Sequence, residues 1–534
     1  MTAALDSGRR RAGVLIPLFS CRSSTGWGIG DLGDVPALAG WMSGAGLSLL
    51  QWLPINEMAP GQSSPYSAIS SMAIDPIYIS VPRVPDYVAL GGDAALDSAL
   101  RGTLAHVRTI PHVDYFAVRL LKDRVLRRTF DRFVRDEWAS KTPRAEVFEA
   151  FRATEHWWLD DYALFRALYH ASDGLDWRQW PAGIRDRSPA ALAEARRQHG
   201  REVLYRQYLQ WVAHEQWQQV RRDAGEIRVI GDFPFMMAAD SADAWAHQHL
   251  FSFDATVGAP PDAFSADGQN WKLPVYRWDV LGEDGYSWFR ERARRMAALY
   301  DAYRVDHVVG LFRTWIFPAD GSAPRFVPSD ETEQRVQGEA VLRVLQQFGA
   351  DILAEDLGTI PGFVRETLTG LGIPGFKVQR WERRWHEPEQ PYIDPADYPP
   401  LSLATSGTHD TETLAAWWSA IDTDERRHVL AIPSVARMMA GEVIPADRPF
   451  SPRIRDALLE SLFASGSDLV VVPLQDLFGW TDRINVPAIV DQVNWTWSPG
   501  WRIDELDRHP EARECQARLR VWSERYGRLP VSRV

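Results

Sequence analysis

Three short segments hold side chains that could act on a sugar bond. Arg304-Val-Asp306-His307 closes one apolar run, Ala354-Glu355-Asp356-Leu-Gly358 a second, and Gly407-Thr-His409-Asp410 a third. Side chains alternate along a strand, so Arg304 and Asp306 fall on one side and Val305 on the other. A cation beside a carboxyl lowers its pKa and keeps it ionised, as a nucleophile at a sugar C1 must be. A purely structural Arg–Asp pair fits that local pattern equally well. Glu355 and Asp356 are adjacent, so only one of them can face the same way as a neighbouring active group, and either could cap a helix. Glu355 shares its side with Leu353, and a glutamate at a partly apolar strand end has a raised pKa, which suits a general acid. Asp356 reads better as structural. Asp410 adds a third carboxylate, with His409 beside it as a hydrogen-bond donor. Carboxylates at three strand ends are what glycoside chemistry through an oxocarbenium-like transition state requires.

Most of the 24 tryptophans are expected in the core or at helix contacts. Trp271 differs in its setting. It closes the stretch Ala259-Pro-Pro-Asp262-Ala-Phe-Ser-Ala-Asp-Gly-Gln269-Asn-Trp271, where turn residues, amides and an aromatic face alternate, and it reads as a loop covering a sugar site. Gly28-Ile-Gly-Asp-Leu-Gly33 satisfies G-x-G-x-x-G but lacks the immediate strand-to-glycine turn and the distal acidic residue of a dinucleotide site. It reads as a glycine-rich loop at a barrel mouth. His247-Gln-His249 has no further ligand nearby, and no His or Cys cluster has metal-ligand spacing, so neither metal nor cofactor is expected.

These residues need a scaffold that brings strand ends together. Eight short apolar runs rich in β-branched residues, each followed by an amphipathic stretch, span Gly13–Phe19, Ser48–Pro54, Arg228–Pro234, Tyr303–Val308, Asp351–Leu357, Gly375–Trp381, Ser402–Thr408 and Asp468–Leu474. Eight βα alternations with doubly buried strands predict an α/β fold, a (β/α)8 TIM barrel, with active residues at the strand ends. The spacing is uneven, so large and mainly helical insertions are expected over about 80–225, between the second and third strands, and over about 413–465, between the seventh and eighth. With no linker or repeat in view, residues 1–534 read as one elaborated catalytic domain.

Composition narrows the partners. A net charge of -12 disfavours nucleic acid and acidic membranes, and no apolar stretch approaches a membrane span. Two cysteines, Cys21 and Cys515, are too few for a disulfide framework, and a cytoplasmic location is expected. Arg9–Arg11 followed by Gly13–Phe19 and Cys21 loosely imitates a lipoprotein leader, but the apolar run is short, contains Pro17 and reads as a buried strand.

The three carboxylate motifs, in this order, resemble those of the amylomaltases of glycoside hydrolase family 77. Further matches run along nearly the whole chain: Ser64-Pro-Tyr66-Ser, Gly231-Asp-Phe-Pro, Asp240-Ser-Ala-Asp-Ala-Trp245, Pro260-Pro-Asp262, Gly268-Gln-Asn-Trp271, Gly372-Ile-Pro-Gly375, Tyr398-Pro-Pro400, Arg483-Ile-Asn485 and Asn494-Trp495. The resemblance implies a 4-α-glucanotransferase acting on malto-oligosaccharides and α-1,4-glucans by retaining double displacement. It implies Asp306 as nucleophile, Glu355 as acid and base, and Asp410 as transition-state stabiliser. It also implies substrate contacts from Tyr66, Asp262, Gln269, Trp271, Arg304, His307, His409 and Asn485. Departures cluster around the acceptor side: Ala263 and Ala266 replace an aromatic and an acidic residue, Lys272-Leu273 and Val308-Val309 replace frequent Gly-Asn and Phe-Arg pairs, and Thr411 replaces Asn. A hydrolase or a transferase with an unusual acceptor is therefore the nearer alternative, and a non-catalytic glycan-binding protein the more distant one.

Overall fold

The computed structural model describes residues 8–261, 268–439, 445, 447–487, 489 and 493–530. Its strands, in chain order, are β1 (Arg11–Leu15), β2 (Leu49–Gln51), β3 (Arg228–Phe233), β4 (Phe251–Ala259), β5 (Gln269–Tyr276), β6 (Ala302–Val305), β7 (Thr314–Pro318), β8 (Arg325–Val327), β9 (Asp351–Ala354), β10 (Gly375–Val378), β11 (Ser402–Thr405) and β12 (Leu469–Pro473). Eight of them close into a barrel in the order β1-β12-β11-β10-β9-β6-β3-β2, with parallel pairing at every contact. Each strand lies beside its neighbours in barrel sequence, the arrangement that βα alternation demands. Their Val, Ile, Leu and Ala side chains are almost wholly buried, because helices cover the outside and facing side chains fill the inside.

Each of the eight apolar runs overlaps a barrel strand, but the strands are shorter than the runs, and β1 and β6 begin two residues and one residue before theirs. Pairing in β6 stops at Val305 and in β9 at Ala354, and the polar residues that follow belong to turns. The barrel interior closes on short strands, and the chain leaves the sheet where charged side chains begin. Gly30 shows why the glycine-rich loop has its composition: a Cβ there would sit 2.0 Å from the carbonyl oxygen of Leu18. This loop is packed tightly against the end of the first strand segment, which needs no nucleotide to explain it.

The four remaining strands form an antiparallel sheet in the order β5-β4-β7-β8. The sequence reading of 259–271 as a loop is corrected here, since Gln269 and Trp271 lie on β5. Alternation in β4 and β5 is blurred because both strands are only partly buried, and the turn-forming Pro260-Pro261 and Gly268 dominate the local signal. The excursions that build this sheet leave the barrel at different places, β4 and β5 between β3 and β6, β7 and β8 between β6 and β9.

Between β2 and β3 the chain forms the helices Ser98–Thr109, Tyr115–Arg132, Pro143–Ala171 and Gly200–Asp223, besides shorter turns. The side chains of Asp97, Asp114 and Thr142 accept from backbone N–H groups in the first turns of the first three, satisfying donors that a helix start leaves free. Buried ions join the helices to the loops around β2. Arg119 pairs with Asp75 at 2.6 Å, Arg166 with Glu57 at 3.0 Å, and Arg132 and Arg144 both with the buried Asp86. Lys122, nearly inaccessible, donates to Asp31 at 3.1 Å and to the carbonyls of Ile77 and Ile79 at 2.7 and 2.8 Å. Between β11 and β12 lie the helices Leu414–Ala420, Thr423–Leu430, Pro433–Met438 and Pro452–Phe463. Among the described residues no helix is long and apolar enough to cross a membrane.

Removing one member of a buried ion pair strands the other. Lys122→Met leaves Asp31 and two carbonyls without their donor and is expected to cost about 3–5 kcal/mol, read as a lowered urea midpoint in equilibrium unfolding. An unchanged midpoint would mean that water replaces the ammonium at no cost.

Candidate active site

Parallel register sets the site. Asp232 on β3 pairs across to Arg304 on β6, and Val305 pairs to Ala354 on β9, so the residues that follow these strands emerge at one rim. Arg304 is buried, and its guanidinium is shared. One nitrogen reaches Asp232 Oδ2 at 2.7 Å; the other reaches Asp306 Oδ1 at 2.6 Å and lies 3.9 Å from Glu355 Oε2. The Tyr66 hydroxyl donates to the same Asp232 oxygen at 2.9 Å. One fixed cation therefore faces three carboxyl groups from three neighbouring strands.

Asp306 and His307 sit just past β6. The backbone N–H of Asp306 donates to the Phe233 carbonyl at 3.0 Å, while His307 takes a positive φ of 47°, turning the chain sharply. That turn aims the His307 N–H at Glu355 Oε2, 2.8 Å away, and the Leu357 N–H reaches the other Glu355 oxygen at 3.1 Å. The imidazole of His307 is wedged between Phe235 and Trp271, with ring centroids 5.3 and 5.1 Å away. Burial drives its pKa down to about 4, against the pull of Asp306, so the ring is neutral near pH 7.

The carboxyls are driven apart electrostatically. Burial pushes the Glu355 pKa up to about 8; Arg304 opposes the shift and the Asp306 charge adds to it. Burial acts the same way on Asp410 but is outweighed. His409 at 3.2 Å, the Asn485 amide donating at 2.7 Å, and Arg304 together hold Asp410 well below the usual carboxylate range. Asp232 is raised by burial despite Arg304. The site thus offers a protonated Glu355 beside an ionised Asp410, the divergence that separates an acid from a fixed anion.

The remaining contacts fix the walls. Tyr66 stacks on His409 with centroids 5.3 Å apart, and Trp495 packs on both rings at 5.8 Å. Arg483 donates to the main-chain carbonyl of Asp410 at 2.8 Å and to that of Asn485 at 3.1 Å. Trp271 N–H donates to the Gln269 side chain at 3.2 Å. Of the residues singled out in the sequence, Tyr66, Gln269, Trp271, Arg304, Asp306, His307, Glu355, His409, Asp410 and Asn485 are linked by this web of contacts; Asp262 lies outside the described residues. Asp356 turns away. Its carboxylate accepts from the Phe376 N–H at 2.8 Å and pairs with Arg365 at 3.3 Å, tying β9 to β10. His247 packs on Trp288 at 4.5 Å, and among the described residues no group of three His, Cys, Asp or Glu side chains is placed to hold a metal ion.

Asp232 is a further carboxylate that the structure joins to Arg304 and Tyr66, one to which the sequence assigned no role. Its signal was present, since Gly231-Asp-Phe-Pro also ends a candidate strand, but no charged neighbour in sequence marked it. Phe235 carried no local signal, and Arg483 was marked only by the motif Arg483-Ile-Asn485.

A family model described as 4-alpha-glucanotransferase, that of glycoside hydrolase family 77, matches residues 16–500. The chain belongs to this family. Among curated 4-α-glucanotransferases, that of Thermus thermophilus is 33% identical over 520 residues, covering 94% of this chain and 96% of the relative. That of Chlamydia caviae is 32% identical over 505 residues, covering 93% and 92%. The solved amylomaltase from Streptococcus agalactiae in complex with acarbose superposes with a TM-score of 0.79 at 26% identity, over 97% of this chain and 100% of that one. Membership in the 4-α-glucanotransferases makes the chain an enzyme of glucosyl transfer and sets aside the dinucleotide and non-catalytic readings.

Glu355 also links the site to stability. Its folded pKa, about 8, lies above its ordinary 4.5, so its favourable contribution is complete below pH 4.5 and is lost as pH rises through 8. Glu355→Gln, which carries no charge to bury, is expected to gain stability over the unaltered protein by a few kcal/mol between about pH 5 and 8, then to level off. The difference in urea midpoint between the two proteins, followed against pH, checks this; a constant difference would place the Glu355 proton elsewhere.

Proposed function

We propose that the chain transfers α-1,4-glucan segments between malto-oligosaccharides by a retaining double displacement in which Asp306, Glu355 and Asp410 hold the three chemical roles. The observation that carries this reading is the Arg304 nitrogen shared by Asp306 and Glu355 at 2.6 and 3.9 Å. Two oxygens so close to one atom can be no further apart than those two distances together. That limit fits the spacing of about 5–5.5 Å used by retaining glycosidases better than the wider range that leaves room for a water.

In the first displacement an Asp306 carboxylate oxygen attacks C1 of the sugar, and the C1–O bond to the leaving glucan breaks as Glu355 gives its proton to that oxygen. The donor remains as an ester on Asp306. In the second, Glu355, now a carboxylate, takes the proton of an acceptor 4-hydroxyl while that oxygen displaces Asp306, restoring the α configuration. Asp410 serves as a fixed anion for the hydroxyls and developing positive charge of the reacting sugar, held in place by His409 and Asn485. Arg304, bonded to Asp306, offsets the negative charge that comes back to Asp306 when the C1–O bond of the ester breaks. Tyr66, Gln269, Trp271 and the neutral His307 form the polar and aromatic walls, and Asp262 completes the substrate contacts that the family resemblance implies. Free, buried Cys21 and Cys515 are compatible with the reducing cytoplasm as its compartment.

Purified protein incubated with maltotriose, with nothing else added, is expected to yield glucose and a ladder of longer oligosaccharides. Glucose and maltose alone would favour the hydrolase, and unchanged maltotriose would overturn the reading. Asp306→Asn is expected to lower kcat by roughly a thousandfold or more while leaving the fold intact. Because Glu355 must be protonated to act, kcat/KM is expected to fall with rising pH through an apparent pKa of about 8. A rate that stays level to pH 10 would assign the proton donor to another group.

A further inference from the structure

Most of the 24 tryptophans are buried or half-buried; among the described residues only Trp381 and Trp385 stand out as exposed, at 39% and 55%. They lie four residues apart on the segment that follows β10, and so on the catalytic rim of the barrel, where every active group above also emerges. A single exposed apolar side chain needs no explanation. Two indoles on one short loop at the mouth of a carbohydrate cleft are a different matter, because exposing them costs solvation and nothing in the fold is gained.

The loop is held, not loose. Arg383 and Tyr392 form a bridge between its two arms, and the Arg384 and Ile393 N–H groups donate across it to Pro391 and Glu382 at 2.9 Å each. Arg383 lies over the Tyr392 ring at 4.0 Å, and both of them bond to Glu425 at the start of the helix Thr423–Leu430. Lys377 on β10 pairs with Glu382 at 3.2 Å. With its base pinned on several sides, the loop presents Trp385 to solvent, the Arg383 guanidinium lying 5.9 Å from its ring.

A chain of contacts joins this loop to the site. Arg380, next to Trp381, donates to the Ser406 and Glu412 carbonyls at 3.0 Å each and pairs with the Glu412 carboxylate at 3.3 Å. Glu412 in turn lies 3.9 Å from Arg483, which donates to the Asp410 carbonyl. Trp381 is thus the chain neighbour of a side chain bonded to the segment that carries Asp410, and Trp385 follows it on the same loop.

We propose that Trp385, with Trp381 inboard of it, forms a stacking platform for the part of an α-1,4-glucan chain that extends beyond the reacting sugars, so that this loop sets preference for long over short chains. The inference rests on the glucan-transfer reading for its ligand. The apolar faces of glucose rings stack on indole, and a pinned indole binds them without paying to order a loop. A trisaccharide bridging the cleaved bond has few units to spare for such a platform; amylose has many.

The test compares Trp385→Ala and Trp385→Phe with the unaltered protein in kcat/KM on amylose and on maltotriose, and in retardation on native gels containing amylose. The platform predicts that Trp385→Ala loses about tenfold in kcat/KM on amylose through KM, stays within about twofold on maltotriose, and migrates faster in the amylose gel. Trp385→Phe, which keeps an aromatic face, recovers most of the loss. No change on either substrate, or an equal loss on both, overturns the proposal. If the unaltered protein leaves maltotriose untouched, the catalytic reading fails by itself, while a change in gel retardation caused by Trp385→Ala still supports the platform and its absence overturns it.

Discussion

A buried guanidinium is costly to leave alone and costly to satisfy, and the active end of this barrel is organised around the solution found for Arg304. Its planar fork spans Asp232 on β3, Asp306 after β6 and Glu355 after β9, so the cation is compensated only if three barrel strands keep their parallel register. A slip of one residue in any of them would turn a carboxylate to the other face. The same geometry leaves more negative than positive charge in a dry place. That imbalance is what lets one carboxyl, Glu355, retain a proton while Asp410, supplied with its own donors, does not. Stability of the strand ends and readiness for proton transfer are two results of one charge arrangement.

The helical region between β2 and β3 is joined to the barrel by the same kind of physics in different hands. Glu57, Asp75 and Asp31 are carboxylates on loops near the barrel and Asp86 lies in the short helix Pro85–Ala89, each met by a cation from a longer helix. Apolar packing alone is non-directional; these pairs give the helices a defined seat. Tyr66 lies within the loop between Glu57 and Asp75, whose arms are bridged at Asn56 with Ile74 and at Met58 with Ala68. A residue of the cleft is thus positioned by contacts that begin in a helical layer remote in sequence.

Barrel strands were legible because doubly buried parallel strands write themselves as unbroken apolar runs, and the groups at their ends follow as charged punctuation. Asp306, Glu355 and Asp410 were readable in that way, as was the structural character of Asp356. Their boundaries were not, since the apolar signal continues through Ile16 and Leu357 after pairing has stopped. The antiparallel sheet escaped because its strands are half-exposed and broken by proline and glycine, so that Trp271 and Gln269 looked like loop residues. Asp232 escaped for another reason: its partner Arg304 lies 72 residues away in sequence, and only the register of β3 against β6 brings them together.

The side sheet ties together two stretches of chain that flank β6. Hairpins β4–β5 and β7–β8 are each local, and their joining, through Thr256 with Phe317 and Val257 with Ile316, closes a loop of chain that carries β6 in the barrel. Loop-closure entropy grows only slowly with length, so this closure costs little more than a tighter one. Trp271, which packs edge-on against His307, lies on one ribbon of this sheet, while His307 follows the strand that the loop carries. The aromatic wall and the Asp306 end of the charged floor are thus parts of one looped stretch of chain, held to each other by pairing outside the barrel.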